Sequence, residues 1–211
     1  MSESYIFCID TETGDLDPKK GDILTLYMAV TDDNFTVLDG LDLKLKPNDR
    51  LPVANAEALK VNKIDLKKHL EDPATITYAE AKVKITEFAK KYLKKRGRYS
   101  NLYVLGQNVG FDLDFIWEYI MSKTEWESLF SYDVEDTKKA AKLLKRAGWL
   151  PAEIGTLTSL VEFFGIPKRE AHEAKGDVLM TIDVYKAILA MLESKKNGGQ
   201  AQDIISLLEA E

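Results

Sequence analysis

The chain has 211 residues, a formal net charge of -6 at pH 7 and one cysteine, Cys8. Its length suits one compact domain, which we predict over residues 1–195, followed by a tail over 196–211 that can form a short helix. A single cysteine excludes an internal disulfide, and the acidic balance argues against a basic coat that binds duplex DNA nonspecifically. Without a basic leader or an apolar run near the ~20 residues that span a bilayer, we expect a soluble, cytoplasmic protein with no membrane partner.

The N-terminal part of the chain predicts three sequential strands. Residues 5–10 are nearly all apolar, residues 22–31 are rich in β-formers, and residues 35–45 alternate apolar and polar side chains. Turn residues at 15–21 and 32–34 connect them, and the second turn is short enough for a hairpin. The sheet therefore begins as a three-stranded antiparallel meander.

Farther along the chain the periodicity becomes helical, and strands then alternate with helices. A helix over 78–96 is predicted to face inward through Val83, Phe88, Tyr92 and Leu93. The other predicted elements are a helix at 54–61, a strand at 102–106, a helix at 111–122, a strand at 131–134, and helices at 136–146, 156–164 and 174–192. Strands that alternate with helices add to a sheet in parallel, so we predict an α/β fold with a mixed sheet flanked by helices.

Two carboxylates stand two residues apart where the first predicted strand ends. Alternate side chains of a strand share a face, so Asp10 and Glu12 are expected to point to the same side. Such a pair repels itself at the edge of a core, and a divalent cation that prefers oxygen ligands, Mg²⁺ or Mn²⁺, is its natural partner. Pairs of this spacing also arise by chance among 35 acidic residues, so this pair alone leaves a surface role open.

Two further acids lie at the starts of predicted helices. Asp112 follows the strand at 102–106, a place where α/β sheets often carry ligand sites. An acid there can also simply stabilise the helix N-terminus, where the helix dipole favours negative charge. Asp177 lies in the first turn of the helix at 174–192. His172 falls on the preceding loop, where it can either reach a reacting water or remain a capping or solvent-exposed residue.

Three segments, in this order, resemble the motifs of the DEDD superfamily of 3′→5′ exonucleases. The subclass is the one whose fifth residue is histidine (DEDDh), which includes proofreading subunits, ribonuclease T and oligoribonuclease. The segments are Ile9-Asp10-Thr11-Glu12-Thr13-Gly14, Asn108-Val109-Gly110-Phe111-Asp112 and His172-x-Ala174-x-x-Asp177. Each is weak alone, and the ordered set is specific. The resemblance implies a ribonuclease-H-like fold, in agreement with the predicted order of elements.

The resemblance also implies a mechanism with two metal ions. Asp10, Glu12, Asp112 and Asp177 would hold two divalent cations, Mg²⁺ or Mn²⁺, with Asp10 bridging them and Asp112 serving mainly the second. His172 would be the general base, since a neutral imidazole accepts a proton near pH 7 to 8 better than an unshifted carboxylate does. The expected products are nucleoside 5′-monophosphates.

Further residues are implied in binding the last two nucleotides. By the same resemblance, we expect backbone amides at Thr13 and Gly14, an apolar wedge at Leu16 and a contact from Asn108 to the strand backbone. Phe111 or Phe115 could stack on a base, with packing in the core as the alternative role of both.

Some of the basic residues can have either of two roles: they can guide the phosphate backbone of a nucleic acid, or they can simply form solvated surface. This applies to the cluster at 90–98 and to Lys168 and Arg169, which lie close to His172 in sequence. The basic residues at 138–146 are predicted to be surface.

The predicted substrate is single-stranded DNA at its 3′ end. RNA is the alternative, because no residue fixes how the site treats a 2′-hydroxyl. A catalytically silent nucleic-acid-binding or partner subunit is disfavoured because all four acids and the histidine are present, and a ribonuclease-H-type endonuclease is disfavoured by the ordered motifs. An apolar stripe in 200–211 can dock on a polymerase partner, mediate a homodimer or pack on its own domain.

Overall fold

The computed structural model describes residues 4–94, 100–169 and 173–198. Within these ranges the elements are β1 Tyr5–Thr13, β2 Ile23–Thr31, β3 Val37–Lys46, α1 Ala56–Asn62, α2 Leu66–Glu71, β4 Thr75–Thr77, α3 Tyr78–Lys90, β5 Leu102–Gly106, α4 Gly110–Tyr119, α5 Lys123–Glu127, β6 Val134–Asp136, α6 Thr137–Arg146, α7 Leu157–Phe163 and α8 Ala174–Gly198. None of the helices in these ranges is long and apolar enough to cross a membrane.

The strands form one mixed sheet in the order β4-β3-β2-β1-β5-β6. Strands β1, β2 and β3 pair antiparallel, which confirms the predicted meander. Strands β5 and β6 continue the sheet in parallel with β1, which confirms the predicted parallel additions. The parallel pairing of β3 with β4 was missed, because a strand of 3 residues carries too little alternation to be recognised.

The two faces of β1 bury different helices. Phe7 and Ile9 belong to the larger core, which α3 and α4 cover. Ile6 and Cys8 belong to a smaller core that α8 closes. Side chains alternate along a strand, so the later residues of β1 that continue the alternation of Ile6 and Cys8 lie on the face that α8 covers.

Some predicted bounds and one of the four predicted inward residues of the helix at 78–96 were wrong, whereas Phe88 is buried and Tyr92 and Leu93 pack against the larger core. Strand β1 continues to Thr13, because β2 pairs beside it that far. Helix α3 ends at Lys90 instead of 96. Val83 is 54% exposed, not inward, because the buried residues of α3 follow the stripe that includes Ala81, Ile85 and Phe88. The short helices α2 and α5 were missed, since their few apolar residues give no clear helical period.

Only some of the predictions for the C-terminal region fall on described residues. Helix α8 extends to Gly198 instead of ending at residue 192. The candidate base His172 lies outside the described residues. So does the apolar stripe at 200–211, for which docking on a polymerase or a dimer was predicted. These points, and the division of the chain at residue 195, stay predictions.

A buried ion pair fixes the loop between β1 and β2. The side chain of Asp22 is 1% exposed and accepts hydrogen bonds from both terminal nitrogens of Arg50, at 2.6 and 2.7 Å. The N–H of Val53 donates to the same carboxylate at 2.6 Å. The hydroxyl of Tyr119 donates to the carbonyl of Gly21 at 3.0 Å. The loop is therefore held from two sides.

Removal of the Arg50 cation should destabilise the protein, because it leaves the Asp22 carboxylate buried without a charge partner. We expect Arg50→Met to lower the free energy of unfolding by about 2 kcal/mol, less than for a fully buried pair because Arg50 is 47% exposed. Urea unfolding at neutral pH measures this loss, and Asp22→Asn in the Arg50→Met background should recover part of it. Equal stability of Arg50→Met and the unaltered protein would contradict the prediction.

Candidate active site

The candidate site begins where β1 loses one of its two neighbours. Strand β5 pairs with β1 only as far as Cys8, which is opposite Leu105, whereas β2 pairs as far as Thr13. The last part of β1 therefore has an open edge on the β5 side. Asp10 and Glu12 lie on this stretch, on the face toward α8.

The first turn of α8 brings a third carboxylate to the same place. The N–H of Asp177 donates to the carbonyl of Glu173 at 3.1 Å as the helix begins. Ligand oxygens of Asp10, Glu12 and Asp177 lie within 4.8 Å of one another. Residues from near both ends of the chain thus form one group, which we call the acid cluster.

The electrostatics of the acid cluster oppose its full ionisation. Burial raises the pKa of Asp10 well above its ordinary value, and the charges of Asp112, Asp177 and Glu12 raise it further. Burial, followed by the charges of Asp177 and Asp112, raises the pKa of Glu12 to about 7. Fully charged at neutral pH, the cluster is therefore costly unless a cation compensates it.

Asp112 lies beside the acid cluster without being one of its three members. It is 3% exposed in the first turn of α4. One oxygen, Oδ1, accepts hydrogen bonds from the N–H and the hydroxyl of Thr11, at 2.9 and 2.8 Å. Burial raises its pKa to about 7, although these two bonds lower it. Asp112 is thus near enough to act on the charge of Asp10, and Thr11 fixes its orientation.

The acid cluster fits a hard divalent cation. Its donors are carboxylate oxygens, which Mg²⁺, Mn²⁺ and Ca²⁺ prefer. Positive charge would also relieve the repulsion that raises the pKa of Asp10 and Glu12. The cluster could therefore bind a metal ion.

The backbone of Gly14 is packed and hydrogen-bonded within the fold. Its N–H donates to the carbonyl of Asp22 at 2.7 Å, and its carbonyl accepts from the N–H of Asn55 at 2.8 Å. Thr13 next to it donates its hydroxyl to the carbonyl of Asp15 at 2.8 Å. The amide expected at Gly14 for a nucleotide is thus already engaged, and this glycine shapes the loop.

A side chain at position 14 should be damaging. A Cβ there would lie 2.3 Å from the carbonyl oxygen of Val53 and 2.8 Å from two atoms of Ala54. We expect Gly14→Ala to lower the free energy of unfolding by about 2 kcal/mol in a urea titration. Gly110→Ala is the matched control, since a Cβ at Gly110 meets nothing within 4 Å, and this substitution should be neutral or stabilising in helix α4. Equal effects of the two substitutions would refute the steric argument.

Leu16 is a strongly solvent-exposed residue among the predicted substrate contacts. Its side chain is 84% exposed, although the loop that carries it is tied down at Asp22. Water-exposed leucine in a fixed loop is what an apolar wedge requires, because it can cover a base without first reorganising.

The other two predicted contacts differ in their surroundings. Asn108 is exposed, has a positive φ of 65°, donates its N–H to Asp136 Oδ1 at 3.0 Å and accepts from Lys138 Nζ at 3.2 Å. Phe111 packs on Phe115 with ring centroids 5.0 Å apart and joins the larger core. Asn108 thus lies at the surface, and the contacts of Phe111 are those of core packing.

A cleft beside Glu12 was not predicted. It has a volume of about 540 Å³ and lies between β2, β3, the α1–α2 connection and the start of α8. Its lining includes Glu12, Thr25, Lys44, Asn62, Lys63 and Lys175. These residues come from segments far apart in the chain and share no spacing, so the sequence offers no local signal for the cleft.

Comparison with known proteins bears on the fold. No protein-family model matches the chain, and no curated protein is detectably similar to it. A zinc-bound complex of E. coli exonuclease I with single-stranded DNA superposes with a TM-score of 0.71 over 90% of this chain and 41% of that chain, at 20% identity. Exonuclease I from Methylocaldum szegediense gives a TM-score of 0.66 over 88% of this chain and 40% of that chain, at 23% identity. The described chain has the exonuclease I fold.

The exonuclease I fold confirms the predicted α/β class with a mixed sheet flanked by helices. A complex of E. coli exonuclease I with a dT13 oligonucleotide also matches, with a TM-score of 0.67 over 88% of this chain and 41% of that chain, at 22% identity. The chain thus spans about two fifths of the length of these exonuclease I chains.

Proposed function

We propose that this chain is a divalent-metal-dependent 3′→5′ exonuclease that releases nucleoside 5′-monophosphates from single-stranded DNA. The observation that carries the proposal is the acid cluster of Asp10, Glu12 and Asp177, with oxygens within 4.8 Å, on a fold shared with exonuclease I. Three of the similar exonuclease I structures are complexes with single-stranded DNA or an oligonucleotide. They support DNA as the substrate to test first.

The four acids would hold the metal. Asp10, Glu12 and Asp177 would bind one Mg²⁺ or Mn²⁺, and Asp112 would join Asp10 in binding a second. When bound, such ions activate water and stabilise the charge that develops during displacement at phosphorus. Thr11 keeps Asp112 oriented through its two hydrogen bonds. Ionisation of Asp10, Glu12 and Asp112 would be coupled to metal binding, because their raised pKa values favour the protonated forms when the cation is absent.

The remaining roles belong to groups around the acid cluster. His172 would accept the proton of the attacking water, as a neutral imidazole does efficiently near neutral pH. The cleft of about 540 Å³ beside Glu12 is large enough for one nucleotide. Leu16 would cover the base that lies next to its side chain and so hold the strand end in place. Asn108 would contact the strand backbone.

The proposal is tested with 5′-labelled single-stranded DNA and RNA of one sequence, each with Mg²⁺, Mn²⁺ or EDTA. Successive shortening of the labelled DNA in the presence of metal, and release of mononucleotides from a 3′-labelled copy, is the expected result. Asp112→Asn should abolish the ladder. Asp114→Asn is its matched control, since this exposed acid lies two residues farther along the same helix.

Three other results of this experiment would each replace the proposed function or its substrate. A ladder on RNA alone would replace the proposed substrate by RNA. A single internal cut would indicate an endonuclease. Failure of both polymers to shorten with either metal would leave a silent binding subunit as the function of the fold.

A further inference from the structure

Helix α6 concentrates positive charge on a protein of net charge -6. Its sequence of 10 residues contains no acid. The side of the helix that includes Ala141 and Leu144 packs in a core with α7 and α8. The cations are Lys138, Lys139, Lys142, Lys145 and Arg146, and all except the half-buried Lys145 are exposed. We call this set the α6 basic surface.

The α6 basic surface begins at the same edge of the sheet as the candidate site. Strand β6 is parallel to β5 and β1 and leads directly into α6. Asp136, at the N-cap of α6, accepts from the N–H of Asn108 at 3.0 Å, and Lys138 Nζ donates to Asn108 Oδ1 at 3.2 Å. Asn108 follows β5 and is four residues from Asp112. The first turn of α6 therefore touches the loop that leads to the site.

Two cations of this surface are available for an external anion. In the described ranges no carboxylate lies within 4.0 Å of Lys142 or Arg146, whereas Lys139 pairs with Asp136 at 3.7 Å. By contrast, Lys168 pairs with Glu162 at 2.6 Å, and Arg169 pairs with Asp183 at 2.9 Å. A lysine or arginine without an internal partner loses no ion pair when it binds phosphate.

Residues 90–94 are the described part of the other predicted basic cluster, and they lie at the opposite end of the sheet from the acid cluster. The ring of Tyr92, just after α3, contacts that of Tyr5 at a centroid distance of 5.1 Å. Tyr5 begins β1, at the opposite end of the strand from Glu12. Lys91 nearby is also paired, with Asp39 at 3.2 Å. The C-terminal end of α3 is thus remote from the acid cluster.

Apolar side chains are interleaved with the charges. Leu143 is 67% exposed on α6, and Trp149, just after the helix, is 36% exposed. Proteins that bind single strands without reading sequence combine cations for the phosphates with apolar and aromatic surfaces for the bases.

We propose that the α6 basic surface binds the single strand upstream of the 3′ nucleotide that enters the acid cluster. Lys142 and Arg146 would contact backbone phosphates, and Trp149 would stack on a base at the far end. The helix is about 15 Å long, so only substrates several nucleotides long would reach its end. This inference rests on the proposed exonuclease function, because it takes the acid cluster as the destination of the strand.

Binding is measured without catalysis, by fluorescence anisotropy of a labelled single-stranded oligonucleotide in EDTA at several salt concentrations. The variant is Lys142→Glu/Arg146→Glu, with Lys142→Gln/Arg146→Gln as the neutral version. The matched control is Lys84→Glu/Lys90→Glu, which makes the same charge change at exposed positions of α3. Loss of two phosphate contacts should weaken binding on the order of 10-fold or more and reduce the slope of log K against log salt by about 1.4.

The length of the oligonucleotide separates a local from a general effect. The charge-reversal variant should bind a long strand weakly and a dinucleotide as the unaltered protein does, with the control unchanged on both. Equal losses in variant and control would show that only net charge matters and would overturn the proposal, as would an unchanged salt slope in the neutral variant.

Tryptophan fluorescence tests the far end of the surface. A long oligonucleotide should quench the unaltered protein, and Trp149→Phe should bind it with much less quenching. Quenching retained in Trp149→Phe would place the strand elsewhere. Because these readouts need no hydrolysis, a protein that binds along α6 but cuts nothing would refute the proposed function and leave the proposed surface standing.

Discussion

Asp10→Asn is expected to lower the rate of the proposed DNA hydrolysis by on the order of 10³-fold or more while making the metal-free protein more stable. Asp10 contributes to the acid cluster, so the substitution would remove one of the proposed metal ligands. The same carboxylate is partly buried, and Asp112, Asp177 and Glu12 repel its charge. A neutral amide of similar shape relieves that repulsion when no cation is present. Single-turnover rates with Mg²⁺ and thermal unfolding in EDTA above neutral pH measure the two effects.

The opposite signs of these effects distinguish a metal site from an ordinary structural acid. Asp114→Asn, on the exposed side of α4, should change neither the rate nor the melting temperature appreciably. If Asp10→Asn instead lowers the melting temperature in EDTA, the carboxylate serves the fold. If the rate falls by less than 10-fold, Asp10 is not a metal ligand in the reaction.

The second large effect is a loss of stability of the metal-free protein as pH rises. The pKa of Glu12 is raised from 4.5 to about 7 in the folded protein, so the folded state holds a proton that the unfolded state releases. The resulting stabilisation is complete below about pH 4.5 and is lost as pH rises to about 7, because the folded state binds more protons in this window. For Glu12 alone the loss is on the order of 3 kcal/mol, and Asp112, with its pKa raised to about 7, acts in the same direction.

Divalent metal should reverse this trend. Cations bind the ionised carboxylates, so saturating Mg²⁺ should stabilise the protein more as pH rises from about 5 to about 8. Urea unfolding across this range, in EDTA and in Mg²⁺, measures both curves. Glu125 does not interfere, since its pKa is lowered to about 2 and it stays ionised in this range. Glu12→Gln should flatten the EDTA curve, and an unchanged slope in that variant would assign the effect to other groups.

Acid pairs show why local spacing alone could not identify the site. Asp10/Glu12 and Asp15/Asp17 have the same spacing, but only the first pair lies in a strand. Asp15 and Asp17 lie in the following loop, where each accepts a hydrogen bond from the N–H two residues later, at 3.0 Å. Two-residue alternation brings side chains together only within a strand, so the prediction depended on the order of three motifs along the chain.

The features that could not be predicted from the sequence depend on contacts between residues far apart in the chain. The helix that carries Asp112 in its first turn was predictable from its apolar pattern. The hydrogen bonds between Asp112 and Thr11, in contrast, join residues 101 positions apart. Val83 has the same apolar character as its buried neighbours, and only the packing of α3 on the sheet leaves it exposed. The order of strands and helices depends on local periodicity and was largely predictable, while the cleft beside Glu12 depends on segments that meet only after folding.

The smaller core gives the protein a built-in chemical probe. Cys8 is the sole cysteine, is fully buried beneath α8, and donates to the carbonyl of Val178 at 3.6 Å. Burial raises the pKa of its thiol well above the ordinary value, so thiol reagents should label it only when α8 separates from the sheet. Because α8 also carries Asp177, the labelling rate of this one sulfur reports how often the acid cluster is taken apart.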